Sequence, residues 1–156
     1  IHVFGYKSLE AELLSAGGTL SVVETPLDPL ASTTCYDLRF PGLWLELGAR
    51  GAHAAIVPAP WPAARRGHFR LFTEARAVEH QIWMIAVNAC GAQNGVELGG
   101  SSRIVDPWGR VIAECSHTEE EVVVADVDPG LVEQVRTEFP VLADRLTQEA
   151  YAALGG

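Results

Sequence analysis

Basic residues are scarce in this sequence. Eleven lysines and arginines face 20 aspartates and glutamates, a formal net charge of −9, and Lys7 is the single lysine. Nucleic acids and anionic membrane surfaces both require basic patches, so neither is expected as a partner. No apolar run approaches the ~18 residues of a membrane span, and no signal-peptide pattern opens the chain. Cysteine is rare too, at positions 35, 90 and 115. An odd number, with no C-x-x-C and no cysteine–histidine zinc spacing, argues against a disulfide scaffold or a zinc site. It fits a reducing, cytoplasmic setting. His2, His53, His80 and His117 have no metal-like spacing. Repeats and low-complexity stretches are missing as well.

What is present describes a folded domain. The chain has 156 residues, 48% hydrophobic and 20% charged, enough apolar side chain for a core and too little charge for a disordered chain. Residues 1–18 read as strand end and loop. Short strands are expected at 20–24 and 30–34 around the turn Pro26-Leu27-Asp28-Pro29, forming a hairpin. Pro41 suits the first turn of a helix whose apolar face carries Leu43, Trp44 and Leu47 and which Gly51 can end. Residues 54–57 predict a buried strand, broken by prolines 58, 60 and 62 around Trp61. A second helix is expected at about 67–80, with Arg76 and Glu79 three apart and able to pair. Residues 82–88 are nearly all apolar and predict a strand buried on both faces. Residues 91–100 read as a glycine-rich loop. Strands at 101–105 and 110–114 flank the turn Asp106-Pro107-Trp108-Gly109. A further strand is expected at 121–126, after the solvated run Glu119-Glu120-Glu121, and a helix at about 129–138. From residue 140 onward the chain reads as a mobile or partner-packed arm. Alternating strands and helices make the class α/β or α+β.

Cys35 is the residue to which chemistry attaches most readily. It closes an apolar-to-small run and opens Cys35-Tyr36-Asp37-Leu38-Arg39-Phe40-Pro41, a strand-to-helix junction. Such a bend can expose a sulfur and gather backbone N–H groups around it. An ordinary thiol, with a pKa of about 8.5, is only about 3% thiolate at pH 7, so a neighbouring base or cation is needed. Without its surroundings, a lone cysteine would be read as a small buried hydrophobe.

Those surroundings carry a resemblance. The Cys35 segment, Ile1-His2-Val3-Phe4, Ala75-Arg76-Ala77-Val78-Glu79, Val87-Asn88-Ala89-Cys90-Gly91 and Ile104-Val105-Asp106-Pro107-Trp108-Gly109 stand in an order similar to that of the carbon–nitrogen hydrolase (nitrilase-like) superfamily, in its amidase branch. The resemblance covers 1–146 and leaves 147–156 as a C-terminal tail. It implies the second half of a four-layer α-β-β-α sandwich, and no metal or organic cofactor. In that family a glutamate is general base, a lysine stabilises the tetrahedral intermediate and a cysteine attacks the carbonyl carbon. The lysine would immediately precede Ile1 and the glutamate would lie further upstream. The missing N-terminal half of the same fold is therefore an expected partner, and Lys7, falling after the matching segment, reads as an exposed loop lysine.

The same resemblance distributes the remaining roles. Cys35 is the nucleophile, and the N–H of Tyr36 is an oxyanion donor. Glu10 matches a glutamate that organises the site, although Ala11 replaces the family's serine; the alternative is a solvated loop carboxylate. Trp61 and His68 fall at pocket-lining positions, Trp61 as an apolar wall and His68 either orienting substrate or capping its helix. Asp37 and Arg39 read as scaffold that could form charge-assisted bonds and hold the turn, and Gly42 departs from the family's glutamate. Asn88 is expected to bond backbone near the site, and Cys90 and Cys115 to be inert. The implied reaction is hydrolysis of a small linear, non-peptide amide through a thioester, with a carboxylated substrate by analogy. Tyr36-Asp37 after the cysteine, where nitrilases usually carry Trp-Glu, favours amides over nitriles. A catalytically incomplete partner subunit and a thioester-based acyltransferase are the alternatives. Homodimers or higher oligomers are expected through the helix next to Cys35 and the C-terminal arm.

Overall fold

The computed structural model describes residues 1–6, 8–26 and 28–155. Lys7, and Leu27 within the expected turn, lie outside the described residues. Among the described residues the helices are α1 (Glu10–Leu13), α2 (Pro41–Ala49), α3 (Arg66–His80), α4 (Gly130–Glu138) and α5 (Gln148–Ala152). The strands are β1 (Val22–Val23), β2 (Leu30–Ser32), β3 (Ala54–Ala59), β4 (Trp83–Asn88), β5 (Ala92–Gln93), β6 (Val96–Glu97), β7 (Arg103–Val105) and β8 (Val111–Glu114). Six strands form one sheet in the order β1-β2-β3-β4-β7-β8, and β5-β6 make a separate ribbon. The β1–β2 hairpin is antiparallel, β2, β3 and β4 run parallel, and β7 and β8 return antiparallel. This is an α/β mixed sheet.

Parallel neighbours need a crossover, and α2 and α3 supply the two that link β2 to β3 and β3 to β4. α2 starts on Pro41, whose missing N–H is one that the first turn leaves unpaired in any case. It ends as the glycine suggested: Gly51, with φ of 82°, donates to Gly48, and Ala52 donates to Leu47. α2 and α3 press Trp44, Leu47, Phe69 and Ala77 onto Ala55, Val57, Met84, Ala86 and Val105, forming the main core. A second cluster on the opposite sheet face joins Ala54 and Trp83 to Val132, with Leu30, Ile104, Val127 and Leu131 at its edge.

Three expectations are corrected by these coordinates. The 82–88 strand is not buried on both faces: its residues alternate, and Val87 is 53% exposed, because α4 covers only one end of that sheet face. The 91–100 loop contains the β5–β6 ribbon. Residues 121–126 form no strand, and Val122 and Val124 are 88% and 90% exposed. A valine-rich run gives β-propensity, but a ladder needs an edge to pair with, and this segment meets none. Arg76 and Glu79 pair as expected. Gly100, with φ of 52°, crosses so close to His117 that an added Cβ would lie 2.6 Å from its carbonyl oxygen.

Candidate active site

The parallel ladder carries the chain straight to Cys35. Thr33 extends β2 by donating to the Ile56 carbonyl at 3.1 Å, and Thr34 is still extended. At Cys35 the backbone reverses to a φ of 38°, then enters a 3-10 turn over Cys35–Arg39. A positive φ in a residue other than glycine costs about 1–3 kcal/mol and persists only where the surroundings over-determine it.

Those surroundings are visible on every side of the turn. The buried Asp37 carboxylate accepts from Thr34 N at 3.0 Å, Ile1 N at 3.1 Å, His2 N at 2.9 Å and the His2 ring at 2.8 Å. Burial alone would raise this carboxyl, but the His2 and Thr34 donors outweigh it and hold Asp37 below the usual carboxylate range. The Asp37 carbonyl accepts from the Trp44 indole at 3.0 Å. The Leu38 carbonyl takes the buried Arg76 guanidinium at 3.0 Å and 3.3 Å. The His2 ring stacks on Phe40, with centroids 3.6 Å apart. Asp37 therefore holds the turn as expected, but not by pairing with Arg39. Trp44 and Arg76 are clamps that motif reading did not assign to the Cys35 turn. A buried arginine in a helix was the available signal.

Cys35 is half-buried. Burial, then the charge of Glu10, pushes its thiol up to about 11, with Asp37 adding to the rise and Arg39 and Arg65 opposing it. Glu10, at the start of α1, is thus close enough to act on the sulfur electrostatically. Among the described residues the Tyr36 N–H has no hydrogen-bond acceptor, while its ring packs edge-on against Phe4 and Phe40.

Trp61 is 2% exposed. Its N–H groups are anchored, the backbone to Asn88 Oδ1 at 2.7 Å and the indole to the Arg65 carbonyl at 2.8 Å, and its ring packs near Phe69 and Phe72. The Arg39 guanidinium lies over that ring, 4.6 Å from the centroid. His68 is exposed in the first turn of α3, where it provides no cap; its Nδ1 is 3.5 Å from Arg39 Nη2. Asn88 bonds backbone as expected, donating to the Gly100 carbonyl at 2.8 Å as well. Cys115 is buried, and burial and Glu121 raise its thiol. Arg65 is the neighbour of Cys35 that the sequence did not single out, being one of several arginines with no motif around it.

Comparisons with known proteins agree with this geometry. A 2-oxoglutaramate amidase of Paenarthrobacter nicotinovorans is 38% identical over 159 residues, which take in 99% of this chain and 53% of the relative. The chain spans about half the length of the curated relatives it matches. The crystal structure of Saccharomyces cerevisiae Nit3, a member of the nitrilase superfamily, superposes with a TM-score of 0.78 at 30% identity, covering 90% of this chain and 51% of that one. An amidase from Nesterenkonia sp. AN1, with acrylamide added to its active-site cysteine, superposes with a TM-score of 0.76 at 25% identity, covering 92% and 56%. The carbon-nitrogen hydrolase family model matches residues 1–137. A match of that extent, on a chain whose fold superposes on solved members of the nitrilase superfamily, makes this protein a member of the carbon–nitrogen hydrolase family.

Proposed function

We propose that this chain carries the nucleophile of an amidase acting on a small linear amide. Cys35 Sγ attacks the carbonyl carbon, and its proton passes to a carboxylate base and on to the leaving nitrogen. The C–N bond breaks, ammonia or an amine departs, and a thioester remains. Water then attacks the thioester, the acid leaves, and the sulfur regains its proton. Tyr36 N–H donates to the oxyanion. Glu10 orients the site beside the general base and lysine of the preceding half of the fold.

The observation that carries this reading is the bend itself: a half-buried thiol at a positive φ, in a turn clamped by the N-terminal segment, α2 and α3, beside an uncommitted N–H. The Nesterenkonia adduct at an active-site cysteine supports the assignment of the nucleophile by analogy. A carboxylate on the substrate is supported by Arg39 and Arg65, both felt at the sulfur, and by a relative named for 2-oxoglutaramate. Trp61 shapes that side of the pocket through the guanidinium it supports, and His68 orients Arg39.

One observation favours a second reading, a non-catalytic partner subunit. With its thiol pushed up to about 11, Cys35 is almost wholly protonated at neutral pH within this chain. An activating base or cation must therefore come from elsewhere. Ammonia release from a panel of small amides and nitriles by the full-length protein separates the readings. Loss of at least ~1,000-fold in Cys35→Ala is expected, on the scale seen when a nucleophile is removed. Activity surviving that change would end the nucleophile assignment, turnover of nitriles alone would reverse the choice of amide, and an inert wild type that still assembles would favour the partner subunit.

The same proposal includes the assembly. The preceding half of the fold covers the sheet face that carries Val87, and apolar side chains on the C-terminal arm, including Leu146, Tyr151 and Leu154, are exposed for a homodimer or higher oligomer.

A further inference from the structure

Two hydrogen bonds bracket Cys35. Asp37 N donates to the Thr34 carbonyl at 2.8 Å, and Asp37 Oδ2 accepts from Thr34 N at 3.0 Å. Both join the residue before the cysteine to a residue after it, so the φ of 38° at Cys35 is enclosed between them. Trp44 and Arg76 hold the turn as well, but through the carbonyls of Asp37 and Leu38, which follow the cysteine.

The second bracket depends on how the Asp37 carboxylate is turned. Its other oxygen, Oδ1, meets one residue twice: it accepts from His2 N at 2.9 Å and lies 2.8 Å from His2 Nδ1. A carboxyl held below its usual range is ionised and only accepts, so Nδ1 carries the proton. The His2 ring also lies flat on Phe40, the residue that closes the turn, with centroids 3.6 Å and planes 12° apart. One side chain from the N-terminal segment thus meets the turn at its middle and at its end. The Asp37 side chain is 2% exposed, so water does not readily replace a donor lost there.

We propose that His2 is a positioning residue for Cys35: its Nδ1–H fixes the Asp37 carboxylate, and the carboxylate fixes the bend that aims the sulfur and the Tyr36 N–H. The inference rests on the reading of Cys35 as the nucleophile of an amidase, and it deepens that reading by naming what keeps the bend in its reactive form. A residue other than glycine at positive φ relaxes once its surroundings no longer over-determine it. With His2 Nδ1–H gone, Asp37 turns, Thr34 N loses its partner and the sulfur leaves its line of attack.

Two variants of the full-length protein separate the bond from the stack. His2→Phe keeps a ring on Phe40 and removes the donor. His2→Asn puts an amide nitrogen at the same number of bonds from the backbone as Nδ1, so it restores the donor without the ring. With glutaramate, a small linear amide, His2→Phe is expected to lose about 10- to 100-fold in kcat while KM changes less than about threefold, the scale of a misplaced reacting group. His2→Asn recovers most of that loss. A contact serving stability alone lowers the urea midpoint and leaves kcat per folded molecule unchanged; that result, or a His2→Asn as slow as His2→Phe, overturns the proposal. Amide hydrogen exchange of the peptide spanning 33–40 needs no turnover. It is expected to quicken several-fold in His2→Phe, to recover in His2→Asn, and to leave peptides from β3 and β4 at wild-type rates. Unchanged exchange in that peptide overturns the proposal whatever the activity. If the wild type releases no ammonia from glutaramate or other small amides while exchange follows the expected pattern, the amidase reading falls and the assignment of His2 to the Cys35 bend stands.

Discussion

A thiol that resists ionisation sits where the proposed chemistry requires a thiolate, and its neighbours explain why. Burial contributes most to the rise of Cys35 to about 11, and the negative charge of Glu10 comes next. Removing that charge lets the sulfur ionise at lower pH. Glu10→Gln in the full-length protein is therefore expected to shift the pH profile of Cys35 alkylation downward and to speed iodoacetamide labelling at pH 8 several-fold, read by mass spectrometry of the labelled peptide. A profile that stays in place would separate Glu10 from the sulfur. The same variant reports on catalysis, since a carboxylate that organises the site lowers turnover when neutralised even as the free thiol becomes more reactive. At this scale Cys35 and the Tyr36 N–H were legible in the sequence, because a short motif surrounds them. Arg65 was not, because electrostatic neighbours separated by 30 positions leave no local pattern.

Among the elements, α3 does more than cross over the sheet. Its first turn presents His68 to Arg39, its middle holds the Cys35 turn through Arg76, and its last residue, His80, is buried against the C-terminal arm. Arg145 Nη2 approaches His80 Nδ1 at 3.4 Å, and because a guanidinium only donates, that nitrogen accepts and the ring is neutral. Burial first, then the charges of Arg145, Arg76 and Arg136, lowers His80 from 6.5 to about 4. Between those values the unfolded chain holds a proton here that the folded chain does not. Stability from this site is complete above about 6.5 and is lost as pH falls toward 4. The loss amounts to at most ~3 kcal/mol, since one pKa unit is worth about 1.4 kcal/mol. Urea midpoints of the full-length protein should fall across that window and fall less in His80→Gln. Equal slopes would mean that His80 is not buried in its neutral form. Asp37, held below its ordinary 3.8, gives up its contribution only at lower pH. Of the elements, α2, α3 and the β1–β2 hairpin were legible from proline, glycine and apolar spacing. The 121–126 strand was misread because its valine-rich run gives only a local propensity, whereas a strand also needs a neighbour.

For the molecule as a whole, the unequal covering of the two sheet faces governs behaviour. One face lies under α2 and α3, while the other is covered by α4 at one end only, leaving Val87 and Pro58 at the surface. No described helix is long and apolar enough to cross a membrane. Residues 1–156 produced alone are expected to bind a hydrophobic dye and to sediment as associated species. If the proposed preceding half of the fold covers this face, adding it in trans quenches the dye and gives a discrete complex. A monomer of 16.8 kDa with cooperative unfolding and no dye binding would show that this face needs no cover.

The sequence by itself determined the class of fold, the order of the helices and most strands, and the cysteine at the end of β2, because these depend on local spacing, turn residues and a contiguous motif. Only the tertiary structure decided what the cysteine meets: the positive φ at a turn held by the N-terminal segment, α2 and α3, the carboxylate that raises its pKa, and the arginine charges that oppose that rise. Those are properties of distance and burial between residues remote in the chain, and electrostatic energies follow distance in space rather than position in sequence.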